Sequence, residues 1–128
     1  MRNWINQYTT ASIIRICNYI SKDKFAELES DGAFEASSAH DIRRTILAYL
    51  DGDHPKPASL HRINTPSEDY LTNNVQIFEI NPKMPSAIEK KFDYDVMIDG
   101  RKSYLTIIFR VYFSVGVYST KIYDALTL

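Results

Sequence analysis

The chain has 128 residues, 45% of them hydrophobic and 24% charged, with a formal net charge of −1. This length supports one domain spanning 1–128, and the composition excludes a disordered chain. One cysteine, Cys17, excludes an internal disulfide framework, and four glycines leave little material for the loops that cradle nucleotide phosphates.

From Asn3 to about Ser21, the apolar positions Trp4, Ile5, Tyr8, Ile13, Ile16, Cys17 and Ile20 recur at three- and four-residue spacing, which predicts an amphipathic helix with Asn3 as its cap. A short second turn carries Phe25 and Leu28 and stops at Ser30-Asp31-Gly32. The run SAHD at 38–41 reads as a capping box, after which Ile42, Ile46, Tyr49 and Leu50 mark one helical face that ends at Asp51-Gly52. The segments DGDHPKPAS and LHRINTPSEDYL are dense in Pro, Asp, Ser and Asn and predict an irregular crossing.

Strands follow. Val75, Ile77 and Ile80 mark the first, which Pro82 and Pro85 terminate because proline has no ladder donor. Phe92, Tyr94, Val96 and Ile98 alternate with Asp93, Asp95, Met97 and Asp99, the pattern of a strand with one wet face. Asp99-Gly100 predicts a tight hairpin. The return strand places Leu105, Ile107, Phe109, Val111 and Phe113 on the core face and Tyr104, Thr106, Ile108, Arg110 and Tyr112 on the other. A turn at Ser114-Val115-Gly116 leads into VYSTKIYDALTL, the last strand. Helices first and strands afterwards predict an α+β fold in which N-terminal helices pack on a curved antiparallel meander of about four strands.

The N-terminal stretch MRNWINQYTT lacks the apolar core of a signal peptide, and no apolar run reaches membrane-spanning length. With the lone cysteine, this points to a cytoplasmic protein without a membrane partner. Catalytic motifs are missing. Cys17 falls on the buried face of its helix, where packing explains it better than nucleophilic chemistry. His54 and His61, with Asp51 and Asp53 nearby, match no compact zinc spacing, so neither metal nor cofactor is expected. Asp93, Asp95 and Asp99 read as a solvated strand face rather than acid–base catalysts.

Charge is unevenly distributed. Asp23 to Asp41 holds six acids and one base, whereas Lys83 to Lys121 holds seven bases against four acids. The acidic stretch suggests a basic partner, because complementary fields speed association. The outer row Tyr104, Ile108, Arg110, Tyr112 carries residue types enriched at interface hot spots. A weak basic and aromatic patch does not outweigh the pI near 6.3, so direct nucleic-acid binding is not expected.

Two resemblances follow. The order of helices, irregular crossing and meander ending in YSTKIYDALTL is similar to the NTF2-like and cystatin-like α+β proteins. That likeness implies, as an alternative function, a pocket for a small ligand or substrate built around Tyr94, Tyr104 and Asp95. A small, motif-poor α+β domain with segregated charge also resembles the immunity proteins of contact-dependent growth inhibition and related bacterial polymorphic toxin systems. This second resemblance implies a non-enzymatic protein, monomeric or weakly dimeric, that neutralises a cognate toxin domain, typically a nuclease. Glu27, Glu29, Asp31 and Glu35 would hold the basic toxin, with Tyr104, Arg110 and Tyr112 as anchors.

Overall fold

The computed structural model describes residues 6–53, 55–80, 87–114 and 116–127. The expected cap at Asn3, the helical positions Trp4 and Ile5, the terminating Pro82 and Pro85, Lys83, His54 and Val115 lie outside the described residues. Helix α1 spans Gln7–Ser21 and is capped by Asn6, whose side-chain oxygen accepts from the Thr9 N–H at 2.9 Å. The cap is therefore three residues later than the sequence suggested. Asparagine suits either position; the structure uses the one that satisfies the Thr9 donor.

Helix α2 spans Phe25–Ser30, and α3 spans Ala39–Asp51 with Ser38 accepting from the Asp41 N–H at 3.1 Å. The segment expected to be irregular holds two short elements. A 3-10 turn covers Leu60–Arg62, and α4 covers Glu68–Asn73, capped by Ser67 with Glu68 and Asp69 in its first turn. Those two acids favour a helix start, a signal that the nearby Pro66 and the six-residue length conceal.

Strands β1 (Val75–Ile80), β2 (Ala87–Ile98), β3 (Arg101–Ser114) and β4 (Val117–Thr127) form one antiparallel sheet in sequence order. The architecture is α+β, with the helices over one face of the meander. Asp99 and Gly100 both take positive φ, +53° and +79°, and close the β2–β3 hairpin with two residues. That is the turn whose twist suits paired strands, and glycine enters it without strain.

Ile13, Ile16 and Ile20 of α1 and Ile42, Ile46 and Leu50 of α3 share one core with Phe92, Tyr94, Val96, Leu105, Ile107, Phe109 and Ile122 of the sheet. Tyr94 and Phe109 are the largest side chains with no exposure at all. Burying each such side chain contributes about 1.5–3 kcal/mol, so these strands are held by their helix-facing row. Cys17 belongs to this core, and burial pushes its thiol up to about 12, which removes the thiolate that nucleophilic chemistry would need. Among the described residues no helix is long and apolar enough to cross a membrane.

Ion pairs tie the helical layer together at its surface. Arg43 of α3 donates to both carboxylate oxygens of Asp23 in the α1–α2 turn, at 2.8 and 3.0 Å, and Arg15 of α1 donates to Asp31 at 2.6 Å.

Phe109→Ala should cost about 3–5 kcal/mol in urea unfolding, because its cavity opens at the centre of the core. Tyr104→Ala, at a side chain 71% exposed, should change stability by no more than about 0.5 kcal/mol. Equal losses for the two variants would show that the strand faces are assigned wrongly.

Candidate functional site

Strands of 11 to 14 residues cover a rounded helical layer only by bending, and two ladder irregularities provide the bend. In the first, Ser103, Tyr104 and Leu105 of β3 stand against Val96 alone, between the pairs Asp95↔Thr106 and Met97↔Lys102. The Ser103 hydroxyl repairs the gap, donating to Val96 O at 2.6 Å and accepting from Leu105 N–H at 3.2 Å. In the second, Tyr123 is an extra residue of β4 between the pairs Phe109↔Ile122 and Ile108↔Asp124.

The second bulge shapes the sheet face turned away from the helices. The Arg110 guanidinium lies 4.3 Å over the ring of Tyr123 and donates to Glu89 at 2.6 Å. Glu89 stands opposite Tyr112, so this ion pair is a diagonal cross-strand contact. The Tyr112 hydroxyl donates to Glu35, which raises the tyrosine pKa together with desolvation, the larger cause. The Arg110 Nε and Asp93 Oδ1 are both shielded from solvent and lack hydrogen-bond partners. Thr9 Oγ1 and the Tyr94 hydroxyl in the core are in the same condition, and each such atom forgoes a bond that buried polar groups normally make.

Glu35 reaches this face because residues 33–37 form a strap along β4. Phe34 makes a parallel bridge with Ile122; the Ile122 N–H donates to Ala33 O at 2.6 Å and the Glu35 N–H donates to Ile122 O at 2.8 Å. Lys121 Nζ donates to Gly32 O, and Ser37 donates to Asp124 at 3.4 Å. Phe34 stays on the helix side, stacked on Phe25 with centroids 6.2 Å apart. Alternation along the strap thus sends Phe34 inward and lets Glu35 turn outward.

The structure divides the sequence-predicted site residues into three places. Glu35, Arg110 and Tyr112 meet on the outer sheet face. Glu27, Glu29 and Asp31 lie on α2 and its C-cap, directly before the strap; all three are exposed, and Asp31 is taken by Arg15. Tyr104 stands apart, lifted out of the ladder at the first bulge. Glu89, Tyr123 and Asp124 escaped sequence reasoning: Glu89 is on this face by plain alternation, but its ion pair with Arg110 is a tertiary contact, and Asp124 joins the face only through the bulge at Tyr123.

The pocket set does not converge. Tyr94 is wholly buried against Tyr70, edge to face at 6.0 Å, while Asp95 lies on the opposite sheet face, bonded by Thr106 at 3.1 Å and 3.5 Å from Lys102. Tyr104 is in neither place.

At the hairpin end, a groove of about 980 Å³ opens between α3 and the start of β3. Arg62 anchors it, donating through Nε to Asp99 at 3.0 Å, through Nη2 to Asp53, and through Nη1 to the carbonyls of Pro57 at 3.0 Å and Leu50 at 3.4 Å. This clamp ties the end of α3, the 3-10 turn and the hairpin together. His61 is exposed, and among the described residues no group of three or more His, Cys, Asp or Glu side chains is placed to hold a metal ion.

No protein-family model, curated protein or solved structure matches this chain.

Two carboxyls are held below the usual carboxylate range: Asp99 by its hydrogen bond from Arg62, and Asp23 by its hydrogen bond from Arg43. A lowered folded-state pKa contributes stability that is present above the unfolded value of about 3.9 and is lost as pH falls through the folded one. Urea unfolding at stepped pH should therefore show stability dropping as pH falls below about 4. Arg43→Met should flatten the Asp23 share of that slope, and Arg62→Met the Asp99 share. A slope unchanged in both variants would remove these pairs from the account.

Proposed function

We propose that this protein is an immunity protein, one that binds and neutralises a cognate toxin domain in a bacterial competition system, and that the toxin presents a basic surface. The observation that carries this reading is the outer sheet face. No described element covers it, yet it holds a fixed arrangement of Arg110 on Tyr123 and Glu89 and of Tyr112 on Glu35. Pre-ordered Arg and Tyr side chains lose little entropy on binding, which is why such residues dominate interface energetics. Directly beside the strap, α2 adds Glu27 and Glu29, exposed and without ion pairs among the described residues.

The two parts divide the work. Exposed carboxylates draw a basic partner in during diffusion, and the aromatic and arginine centre slows its release. No turnover is part of this reading, since the core behind the sheet is filled and Cys17 is held as the neutral thiol. The reading also supports action in the compartment where the toxin acts, the bacterial cytoplasm.

The test begins with the neighbouring reading frame: this reading expects a large secreted protein with a variable C-terminal toxin domain immediately upstream, and that domain is the partner to use. Co-expression should restore growth, and the purified pair should form a complex. Replacing Glu27 and Glu29 with Lys should cut the association rate by roughly ten-fold or more and weaken its dependence on salt. Arg110→Ala should instead raise the dissociation rate. A complex whose association kinetics do not respond to ionic strength or to the charge reversals would exclude the acidic helix, and failure of co-expression to protect cells would reject the function.

A further inference from the structure

The groove at the hairpin end lies away from the strap and takes no part in the function proposed above. Its charges do not cancel. Asp53 and Asp99 are its two carboxylates, and Arg62 and Lys56 neutralise them: Arg62 at 2.5 and 2.9 Å, Lys56 at 3.9 and 3.4 Å. Arg62 is spent in this role, since all of its bonds go to the clamp. Arg101 and Lys102 also line the groove, and no acid of the groove opposes them. Arg101 is exposed and has no ion pair among the described residues. Lys102 is 61% exposed, and its one acidic neighbour is Asp95 of β2 at 3.5 Å, outside the groove lining. With Lys102 matched by Asp95 on the outer sheet face, the local balance is one positive charge, carried by Arg101.

Hydrogen-bond donors point the same way. The first bulge takes Tyr104 out of the ladder, and its N–H is satisfied by the Tyr49 hydroxyl oxygen at 3.1 Å. An oxygen that accepts in this way keeps its own proton for another acceptor. Tyr49 and Thr45 both line the groove, so neutral donors stand with Arg101. Tyr104 is 71% exposed, and Leu50 and Ile98 are among the residues that line the same groove. Exposed aromatic faces of this kind stack on planar rings of bound nucleotides. The volume falls within the range of sites for small ligands.

We infer that this groove is a binding site for a phosphate-bearing small molecule, with the phosphate on Arg101 and the Tyr49 hydroxyl and any attached planar ring on Tyr104. A phosphate group matches the sign of the surplus charge, and arginine offers it a two-point contact. A neutral ligand would leave Arg101 unmatched.

Amide chemical shifts of the full chain, followed during titration with inorganic phosphate and separately with adenosine monophosphate, test the assignment. Saturable shifts should be confined to residues 45–53 and 98–104. Arg101→Glu should weaken both ligands by roughly ten-fold or more, while Lys22→Glu, the same charge change outside the groove, should leave them unaltered. Tyr104→Ala should weaken the nucleotide selectively if the ligand carries a ring, and equal binding of both probes would assign the site to the phosphate group alone. Absence of saturable shifts with either probe overturns the inference. So does equal weakening by Arg101→Glu and Lys22→Glu, which would make the effect one of net charge. A tetraglutamate peptide that shifts these amides when phosphate does not would assign the groove to an acidic peptide instead. Because Arg101 is remote from Glu27, Glu29 and Arg110, Arg101→Glu should leave toxin binding intact, so either proposal can fail without the other.

Discussion

Strand β3 has to bury Leu105, Ile107, Phe109 and Val111 against a rounded layer of helices while staying paired on both sides. A straight ribbon of fourteen residues cannot do both, and each of its ladders yields at one point. The yield points release two tyrosines. Tyr104 leaves the ladder at the groove, and Tyr123 becomes the platform under Arg110. Core closure and surface chemistry are thus two results of one geometric demand. The hydrophobic gain of the buried row, at about 1.5–3 kcal/mol for each large side chain, exceeds the cost of a few missing ladder bonds at about 1 kcal/mol each.

The outer face buries Ile108 and Thr106 without a second layer above them among the described residues. Long neighbours do the covering: Arg110 and Lys91 lay their stems along the sheet, with Lys91 over Phe78 at 5.0 Å and paired with Asp93 at 3.5 Å. Such a face is ordered before any partner arrives. The strap adds to that order by joining Glu35, Ser37 and Gly32 to Tyr112, Asp124 and Lys121. The acidic helix α2 enters this assembly only by chain continuity, and its free carboxylates project from the helical layer.

Fold class, sheet order and face assignment of β2 and β3 were legible in the sequence because they rest on period-two alternation and on the Asp99-Gly100 turn. The reason is specific. The first bulge shifts register by two positions, which preserves parity, so Phe92, Tyr94, Ile107 and Phe109 stay on the expected face although their partners change. A two-residue turn alone would set Glu89 opposite Arg110; the bulge sets it opposite Tyr112, and the ion pair survives as a diagonal. In β4 the shift is by one, parity breaks at Tyr123, and no pattern of hydrophobicity announces it. The clamp at Arg62 was hidden for another reason: it joins residues 9 and 37 positions away through a segment with little periodicity. Glu27, Glu29 and Asp31, the acids expected to meet a partner, are exposed, but exposure follows from charge alone and says little about contact with Tyr112 or Arg110.

The two margins of the sheet differ in a way that bears on self-association. The middle of β4 is occupied by the parallel bridge at Ile122, while β1 has no strand beside it among the described residues. Stacking of identical chains into a growing fibril needs a donor and an acceptor margin on every copy. A margin interrupted at its middle offers a neighbour only short free stretches. The strap that delivers Glu35 to its tyrosine thus also breaks up one edge of a long, aliphatic ribbon, which disfavours runaway polymerisation through that edge.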